Sequence, residues 1–376
     1  METRNPPGAR HERDTGWLSA GLRTWRRLLS YPGAAAVALE TRVGTTPCEV
    51  VHEAGTHRLL RYRRDTPATW AEPLLCCYAL INRPYILDLQ PDKSVVRQYL
   101  DRGFDVYIID WGVPAHSDCG LTLEHYVCGF LKEAVELIVR ERGRNDLHLL
   151  GYCMGGTMSA IFAALYPSLV KTLTLLAAPI DFGGRESLLN VWTEREHFDV
   201  DAFVDAHGNC PAWFLQSCFQ HMKPIENILQ KNASLLTHIE DPTFVANYFA
   251  LELWIQDNIP VAGETFREFV KDLYQGNKLI KGELHLGQRR VDLTQITCPL
   301  LLLMAESDHL VAPASTDGIR LHVASHDVET HLVDAGHVGL VIGGKARRTL
   351  WPRATQWLDS RSTSLRSTHN ERCATP

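Results

Sequence analysis

The strongest restriction on the fold comes from one short turn in the middle of the chain. Residues 147–150 form an apolar run typical of a short buried strand, and the small-residue segment 157–165 is typical of a helix. Between them the chain reads Gly-x-Cys-x-Gly, with Cys153 between Gly151 and Gly155. In a sharp turn from strand to helix the two backbones pass close together, and only glycine fits two positions before and after the tip.

This pattern is the nucleophile elbow of the α/β-hydrolase fold, with cysteine where serine is usual. The elbow holds its nucleophile at a strained positive φ, so that the side chain of Cys153 would stand clear of the sheet. The N-terminus of the next helix would favour a thiolate and offer backbone N–H groups to an oxyanion. A buried structural cysteine in a glycine-rich turn could have the same sequence, and the motif alone leaves that interpretation open.

The order of predicted strands and helices supports the same fold class. Two antiparallel strands are expected at 46–53 and 57–62, and buried strands at 73–81, 104–110, 147–150, 170–177, 298–305 and 328–333. Helices are expected between them, at 94–102, 121–142, 157–165, 314–323 and 351–358. This alternation predicts a mostly parallel central sheet flanked by helices.

The alternation stops after residue 180, which suggests how the chain is divided. Residues 181–286 are helical in pattern and rich in aromatics, and we expect an inserted, mainly helical cap subdomain whose aromatics fill its own core, line a substrate channel, or do both. Residues 46–180 and 287–359 would then be the two parts of the hydrolase core. Residues 1–45 are expected to be a partly disordered extension, and 360–376 a disordered tail. Within this extension we expect an amphipathic helix with an apolar face of Leu18, Leu22, Trp25 and Leu29.

Composition excludes several functional classes. The net charge of the 376-residue chain is −6 and no basic patch is present, so no nucleic-acid partner is expected. The ten cysteines include no Cys-x-x-Cys pair and are typical of a reducing cytoplasm, and no apolar run could span a membrane. Cys210, Cys218 and His221 match no zinc spacing, and no nucleotide loop follows the early strands. We therefore expect neither a metal nor a cofactor.

Two further residues complete the order nucleophile, acid, histidine that this fold requires. Asp308 follows a late predicted strand, and His337 stands in Gly-His-Val-Gly after the last one. His337 would take the proton from Cys153, while Asp308 would orient the imidazole and stabilise its charged form. Asp334 and His309 are alternatives that fit the chain order less well.

The loop after the strand at 73–81 is the second expected part of the site. In α/β-hydrolases this loop donates the second N–H to the oxyanion, and Ile81 or Asn82 is the candidate donor. An ordinary turn at Pro84 is the alternative.

The choice of cysteine as nucleophile also indicates the type of reaction, because a thiolate attacks thioesters readily and the product is again a thioester. The acyl group thus keeps its transfer energy, which favours acyl transfer between thioesters and alcohols over ester hydrolysis.

Longer stretches carry a family resemblance. They are YALINRPYILDLQP at 78–91, DVYIIDWG at 105–112, GYCMGG at 151–156, LWIQD at 253–257, GNKLIKGE at 276–283, ESDHLV at 306–311 and GHVG at 336–339. In these stretches the chain resembles the catalytic subunit of poly(3-hydroxyalkanoate) synthases, in particular the two-subunit (class III) type, over residues 73–345. Val338 replaces the isoleucine common in the family, and residues 340–345 are less typical.

The resemblance implies an acyltransferase that polymerises (R)-3-hydroxyacyl-CoA, usually 3-hydroxybutyryl-CoA, with release of CoA. Cys153 would be the nucleophile, His337 the general base, Asp308 the acid with a part in activating the 3-hydroxyl, and the Met154 N–H an oxyanion donor. The family implies a homodimer with a companion subunit on cytoplasmic polymer granules, without a metal or prosthetic group. A cysteine-dependent thioesterase or polyester hydrolase, or a non-catalytic granule-surface protein, remain the alternatives.

Overall fold

The computed structural model describes residues 32–222, 234–235 and 237–365. The chain divides into two compact units, one of residues 1–41 and 223–250 and the other of residues 42–222 and 251–376. The amphipathic helix expected within residues 18–29 lies outside the described residues. None of the helices in the described ranges combines the length and the apolar character needed to cross a membrane.

The larger unit is built on an eight-stranded sheet. Its strands are β1 (Cys48–Ala54), β2 (His57–Tyr62), β3 (Leu74–Cys77), β4 (Val106–Asp110), β5 (Leu147–Tyr152), β6 (Val170–Leu176), β7 (Leu300–Ala305) and β8 (Val328–Val333). Their spatial order is β1-β2-β4-β3-β5-β6-β7-β8. The pairs β1–β2 and β2–β4 are antiparallel, and the other five pairs are parallel. The predicted mostly parallel sheet of an α/β-hydrolase fold is thus confirmed.

The central strands form where the sequence has uninterrupted apolar runs. β3, β4, β5 and β7 are buried along their whole length, whereas β1 at the edge of the sheet is half exposed. A parallel sheet covered by helices on both faces leaves no solvent side, so its strands do not alternate between apolar and polar residues. The carboxyl ends of the parallel strands therefore lie at one edge, where β5, β7 and β8 deliver the elbow and the two loops that follow.

The described residues contain twelve α-helices, numbered here in chain order. They are α1 (Pro32–Glu40), α2 (Val95–Leu100), α3 (Lys132–Glu141), α4 (Met154–Leu165), α5 (Leu188–Trp192), α6 (Val200–His207), α7 (Ala212–Met222), α8 (Pro242–Gln256), α9 (Gly263–Glu268), α10 (Pro313–Asp317), α11 (Gly339–Ile342) and α12 (Gly344–Asp359). A π-helical segment, His125–Leu131, leads into α3, and another, Phe269–Gln275, continues α9. The long helix expected at 121–142 is therefore present, with a wider turn at its start.

The smaller unit has a core of its own. Its described part contains α1 and the first nine residues of α8, which ends in the larger unit. The buried apolar side chains of this core are those of Ala34, Leu235, Ile239 and Val245. Aromatic side chains of α8, among them Phe244 and Phe249, pack against these four.

The region expected to be a cap, 181–286, is helical in its described part. Residues 181–222 and 251–286 belong to the larger unit together with the sheet, whereas 223–250 belong to the smaller unit. One feature here was missed from the sequence. His285–Leu286 and Arg289–Arg290 form a two-stranded hairpin at the end of the region, because Gly287 supplies the positive φ that a tight turn needs.

The sequence predicted disorder from residue 360 onward, and for residues 360–365 this is wrong. The backbone N–H of Thr363 donates to the buried carboxylate of Glu72 at 2.8 Å, and its hydroxyl donates at 2.7 Å. Ser364 pairs with Trp70, and the Leu365 N–H donates to the Thr69 carbonyl. A polar sequence alone cannot reveal that a buried charge far away needs these donors. Residues 366–376 lie outside the described part.

Candidate active site

The elbow has the strained backbone that its sequence predicts. Cys153 is the residue between β5 and α4, with φ 55° and ψ −129°. A non-glycine residue in this region costs on the order of 1–3 kcal/mol and persists only where the surroundings impose it. The neighbouring secondary structures impose it here, since the Cys153 N–H donates to the Leu176 carbonyl at the end of β6. The side chain is half-buried rather than packed into the core.

Glycines allow β5, α4 and the neighbouring strands to approach each other. A Cβ on Gly151 would lie 2.5 Å from the Cα of Gly156, and one on Gly155 would lie 2.3 Å from the Cys77 carbonyl oxygen. Both glycines were identified from the sequence for this reason. Gly156 is equally restricted, because its Cβ would lie 2.3 Å from that of Ala178. The third glycine was missed, although it stands in the same motif.

The loops after β7 and β8 bring an acid and a histidine together. The Nδ1 atom of His337 lies 2.7 Å from Oδ2 of Asp308. Because an ionised carboxylate can only accept, Nδ1 carries the proton, and Nε2 is left as the basic nitrogen. The other oxygen, Oδ1, accepts the backbone N–H groups of Leu310 and Val311 at 2.9 Å each. The carboxylate is thus fully buried and held from both sides.

The imidazole of His337 also interacts with the side chain of Cys153. Burial disfavours the charged ring, but the negative charges of Asp308 and Cys153, with hydrogen bonds to both side chains, outweigh it and raise the pKa of His337 to about 10. The structure therefore brings Cys153, His337 and Asp308 together, although they are far apart in the sequence. Such an arrangement favours the protonated form of the His337 imidazole.

The two alternatives from the sequence do not join this group. Asp334 is exposed and pairs with Lys345, the Asp334 carboxylate lying 3.0 Å from Nζ. The side chain of His309 is exposed as well, while its backbone carbonyl accepts a hydrogen bond from Ser187. The carboxylate that contacts the His337 imidazole is that of Asp308.

Two buried tyrosines that the sequence reasoning did not select fix the position of the histidine. The ring of Tyr152 stacks on that of His337 at 5.1 Å between centroids, and its hydroxyl donates to the His337 carbonyl. Tyr78 packs against Tyr152 and donates to the side-chain oxygen of Asn82 at 2.6 Å. Burial, with a contribution from charge at Cys153, raises the pKa of both phenols well above its usual value. Both hydroxyls are therefore neutral donors. Tyr152 could have been identified from the sequence, because it is the residue before the cysteine.

A third tyrosine comes from the region expected to be a cap. Tyr274 lies near enough to Cys153 for charge there, after burial, to raise the pKa of its phenol. Its ring packs against those of Phe182 and Phe269. It also lines a small cavity of about 140 Å³ that is bounded by Leu310 and others of the loop after β7. Tyr274 thus brings one aromatic side chain of this region into the neighbourhood of the thiol.

The predicted oxyanion donors occupy suitable segments. Met154 is the first residue of α4, and N–H groups in the first turn of a helix have no partner within it. Asn82 pairs with Asn258, and the Ile81 carbonyl accepts the N–H of Ile259 at 3.2 Å. These hydrogen bonds hold the loop after β3 in place. They do not show a backbone N–H of this loop next to the Cys153 sulfur. The oxyanion roles of Met154, Ile81 and Asn82 stay predictions.

Comparison with known proteins adds to this geometry. A family model described as the α/β hydrolase fold matches residues 72–343, and one described as the N-terminus of poly-beta-hydroxybutyrate polymerase (PhaC) matches residues 27–100. The chain is 42% identical over 328 residues to the poly(3-hydroxyalkanoate) polymerase subunit PhaC of Haloferax mediterranei, covering 87% of this chain and 67% of that one. The subunit of the same name from Allochromatium vinosum is 38% identical, with 87% and 91% covered.

The chain belongs to the poly(3-hydroxyalkanoate) polymerase family. This membership confirms the family expected from the sequence stretches, and together with the hydrolase fold it makes the chain an enzyme. A crystal structure of a soluble variant of monoglyceride lipase from Saccharomyces cerevisiae, in complex with a substrate analog, matches with a TM-score of 0.54. It is 14% identical and covers 86% of this chain and 97% of that one, so the likeness concerns the fold alone.

Proposed function

We propose that this polymerase-family member joins (R)-3-hydroxyacyl units, chiefly 3-hydroxybutyryl, from their CoA thioesters into a polyester and releases CoA. One observation carries the proposal: a cysteine on a strained elbow lies beside a buried His337–Asp308 pair. A cysteine nucleophile conserves the thioester bond energy of the substrate, which a polymerase needs and a hydrolase does not.

The first half-reaction transfers the acyl group to the enzyme. The Cys153 sulfur, its proton taken by Nε2 of His337, attacks the thioester carbonyl and forms a new carbon–sulfur bond. The bond to the CoA sulfur then breaks, and His337 returns the proton to the leaving thiolate. The Met154 N–H, with that of Ile81 or Asn82, would stabilise the oxyanion that forms between these steps.

The second half-reaction extends the chain. The 3-hydroxyl of another unit gives its proton to His337 and attacks the acyl-cysteine, so that an ester bond forms and the bond to sulfur breaks. The family resemblance implies that Asp308 helps to activate this hydroxyl. Both oxygens of Asp308 already accept hydrogen bonds, from His337 on one side and from backbone N–H groups on the other. Asp308 therefore acts through the imidazole in our proposal, and neither a metal nor a prosthetic group takes part.

The setting of this reaction is also proposed from the family. We expect a homodimer with a companion subunit, working at the surface of a polymer granule in the cytoplasm. The growing polyester is insoluble in water, so an enzyme that holds its end covalently must remain at the boundary between polymer and solvent.

The direct test uses the purified full chain, alone and with a companion subunit, and 3-hydroxybutyryl-CoA. We expect free CoA and insoluble polyester from the unsubstituted chain, and neither from Cys153→Ala. Cys48→Ser is the matched control, since Cys48 is an exposed thiol at the start of β1. Release of CoA with only free hydroxy acid would instead indicate a thioesterase or polyester hydrolase. Granule formation that survives Cys153→Ala would indicate a non-catalytic surface protein.

A further inference from the structure

Three side chains with metal-binding atoms meet at the antiparallel edge of the sheet. His52 lies on β1, His57 on β2 and Glu133 on α3. The Nε2 atom of His52 is 3.1 Å from Oε1 of Glu133, and Nε2 of His57 is 3.7 Å from Oε2. One ligand atom from each of the three lies within 4.8 Å of the others, and no other such group occurs among the described residues.

The hairpin register explains why both histidines point the same way. His52 pairs with Leu59, and Ala54 pairs with His57, so the two histidines are diagonal neighbours on one face. A β-bulge between Val50 and His52 shifts the strand at this point. Such bulges often re-aim a side chain beside a functional site. The helical segment leading into α3 covers this face, and Phe130 stacks on the His57 ring at 4.3 Å between centroids.

The histidines lack the partners that buried imidazoles need. His57 is 1% exposed, and neither of its ring nitrogens forms a hydrogen bond. The Nε2 atom of His52 is buried too and approaches Glu133 without forming one. A buried polar atom left unpaired costs about 1–3 kcal/mol.

We propose that His52, His57 and Glu133 bind a zinc ion that ties the β1–β2 hairpin to α3. Ligand atoms about 2.1 Å from a tetrahedral zinc are about 3.4 Å apart. The Nε2 atoms of His52 and His57 lie 3.1 and 3.7 Å from different oxygens of Glu133, and one ligand atom from each of the three residues lies within 4.8 Å of the others, so the set is close to this spacing. Two imidazoles and one carboxylate suit zinc and similar transition metals, whereas calcium and magnesium prefer oxygen ligands throughout. A water molecule would complete the tetrahedron on the side of Glu133, which is half exposed.

This site is separate from the proposed polymerase site. β4 and β3 lie between β2 and β5, the strand that carries the elbow. The zinc ion would therefore stabilise the edge of the sheet and take no part in acyl transfer. It also departs from the sequence-based expectation of no metal, because no local spacing links two histidines on a hairpin to a glutamate on a later helix.

Zinc binding can be tested with the full chain carrying Cys153→Ala, which removes the thiol that interacts with His337. After treatment with a chelator, zinc is added in a calorimetric titration, and Tm is measured with and without zinc. We expect one zinc ion per chain and a higher Tm. Cobalt(II) in place of zinc should give the visible spectrum of a nitrogen- and oxygen-ligated ion, without a thiolate charge-transfer band.

The decisive variants are His52→Ala and Glu133→Gln, because both side chains are partly exposed and their replacement leaves the core intact. Each should weaken zinc binding about 10-fold or more and abolish the rise in Tm. The matched control is His331→Ala, since His331 pairs with Glu329 at 2.8 Å on β8, the opposite edge of the sheet. It should bind zinc unchanged.

Circular dichroism of each variant shows whether it is folded before zinc is added. Three results would overturn the proposal: no zinc binding at micromolar concentration, unchanged affinity in either decisive variant, or a loss of affinity in His331→Ala. None of them bears on polymer formation, so this site and the proposed enzyme activity are tested independently.

Discussion

Among the buried carboxylates of the larger unit, Glu72 and Asp308 lie at opposite edges of one sheet, and their surroundings differ in an instructive way. Glu72 stands just before β3, where the parallel strands begin, and Asp308 just after β7, where they end. Glu72 accepts hydrogen bonds from Lys171, from Arg144 at 2.7 Å and twice from Thr363. Two cations and two polar donors thus neutralise its charge in place.

Asp308 has no such cationic pair. Its charge is met by two backbone N–H groups and by one imidazole, which in turn interacts with Cys153. The charge of Asp308 can therefore respond to changes at the thiol, whereas that of Glu72 is fixed. A carboxylate whose hydrogen bonds all go to structural partners, as those of Glu72 do, contributes to stability. A carboxylate that is linked through an imidazole to a reactive sulfur, as Asp308 is, can contribute to catalysis. We expect substitutions at the two edges to separate activity from stability.

The largest effect is expected at the elbow. Cys153→Ala should lower the rate of CoA release by about 10⁴-fold or more, because the nucleophile itself is lost. Its free energy of unfolding should change by less than about 1 kcal/mol, since the side chain is not part of the core. Stopped-flow assays of CoA release and urea unfolding measure the two quantities. Unfolding of the variant under native conditions would show that the thiol is structural after all.

A smaller loss of activity is expected at the acid. Asp308→Asn keeps the shape of the side chain but can no longer hold Nδ1 of His337 in its protonated form or balance its charge. We expect the rate of CoA release to fall by about 10³-fold. The pKa of His337, raised to about 10 in the unsubstituted chain, should fall in the variant, because its strongest favourable interaction is lost. NMR titration of the imidazole would measure this change, and an unaltered pKa would contradict the proposed link.

Substitution of Glu72, at the edge where the parallel strands begin, should instead lower stability and leave activity nearly unchanged. Glu72→Gln leaves Lys171 and Arg144 without their common partner and weakens the anchor of residues 360–365. We expect a loss of about 2–3 kcal/mol in the free energy of unfolding, and CoA release within about 2-fold of the unsubstituted chain. Glu141→Gln is the matched control, because Glu141 pairs with Arg61 at the surface and should contribute under about 1 kcal/mol. Equal destabilisation by both variants would remove the distinction between the two edges.

The same comparison shows what a sequence can and cannot predict. The elbow, Asp308 and His337 were predictable because parallel strands end at one edge, so that three loops far apart in the chain must meet there. The contact between Glu72 and Thr363 was not predictable, since 291 residues separate them and neither belongs to a motif. The tail was therefore judged by its polar composition alone.

Residues around the site divide in the same way. Gly151 and Gly155 were predictable from the close approach of strand and helix. Tyr274 was recognisable only as one aromatic among many in a helical region, because a side chain that packs in a core and one that reaches an active site have the same periodicity. Tyr78 is similar, lying in an apolar run that was read entirely as strand although β3 ends at Cys77.

The dependence of the free energy of unfolding on pH, measured at low pH, gives a sharper test of Glu72. Its partners outweigh burial and lower the pKa of its carboxyl from 4.5 to about 2. A folded-state pKa below the unfolded one means that the group stabilises the protein above about pH 4.5 and that this contribution is lost as the pH falls towards about 2. The difference in free energy of unfolding between the chain and Glu72→Gln should therefore be full at neutral pH and shrink in acid. A constant difference across this range would contradict the ionised, paired state of Glu72.

The smallest effect is expected at the alternative acid, and it completes the comparison by adding a carboxylate that is not buried. Asp334 lies in the same loop as His337, but it is exposed and pairs only with Lys345. Exposed ion pairs contribute about 0–1 kcal/mol. Asp334→Asn should thus leave CoA release within about 2-fold and the free energy of unfolding within about 0.5 kcal/mol. If Asp334→Asn were as inactive as Asp308→Asn, burial next to His337 would not be the property that makes a carboxylate the catalytic acid. The difference between the surroundings of Asp308 and Glu72 would then not explain which carboxylate acts in catalysis.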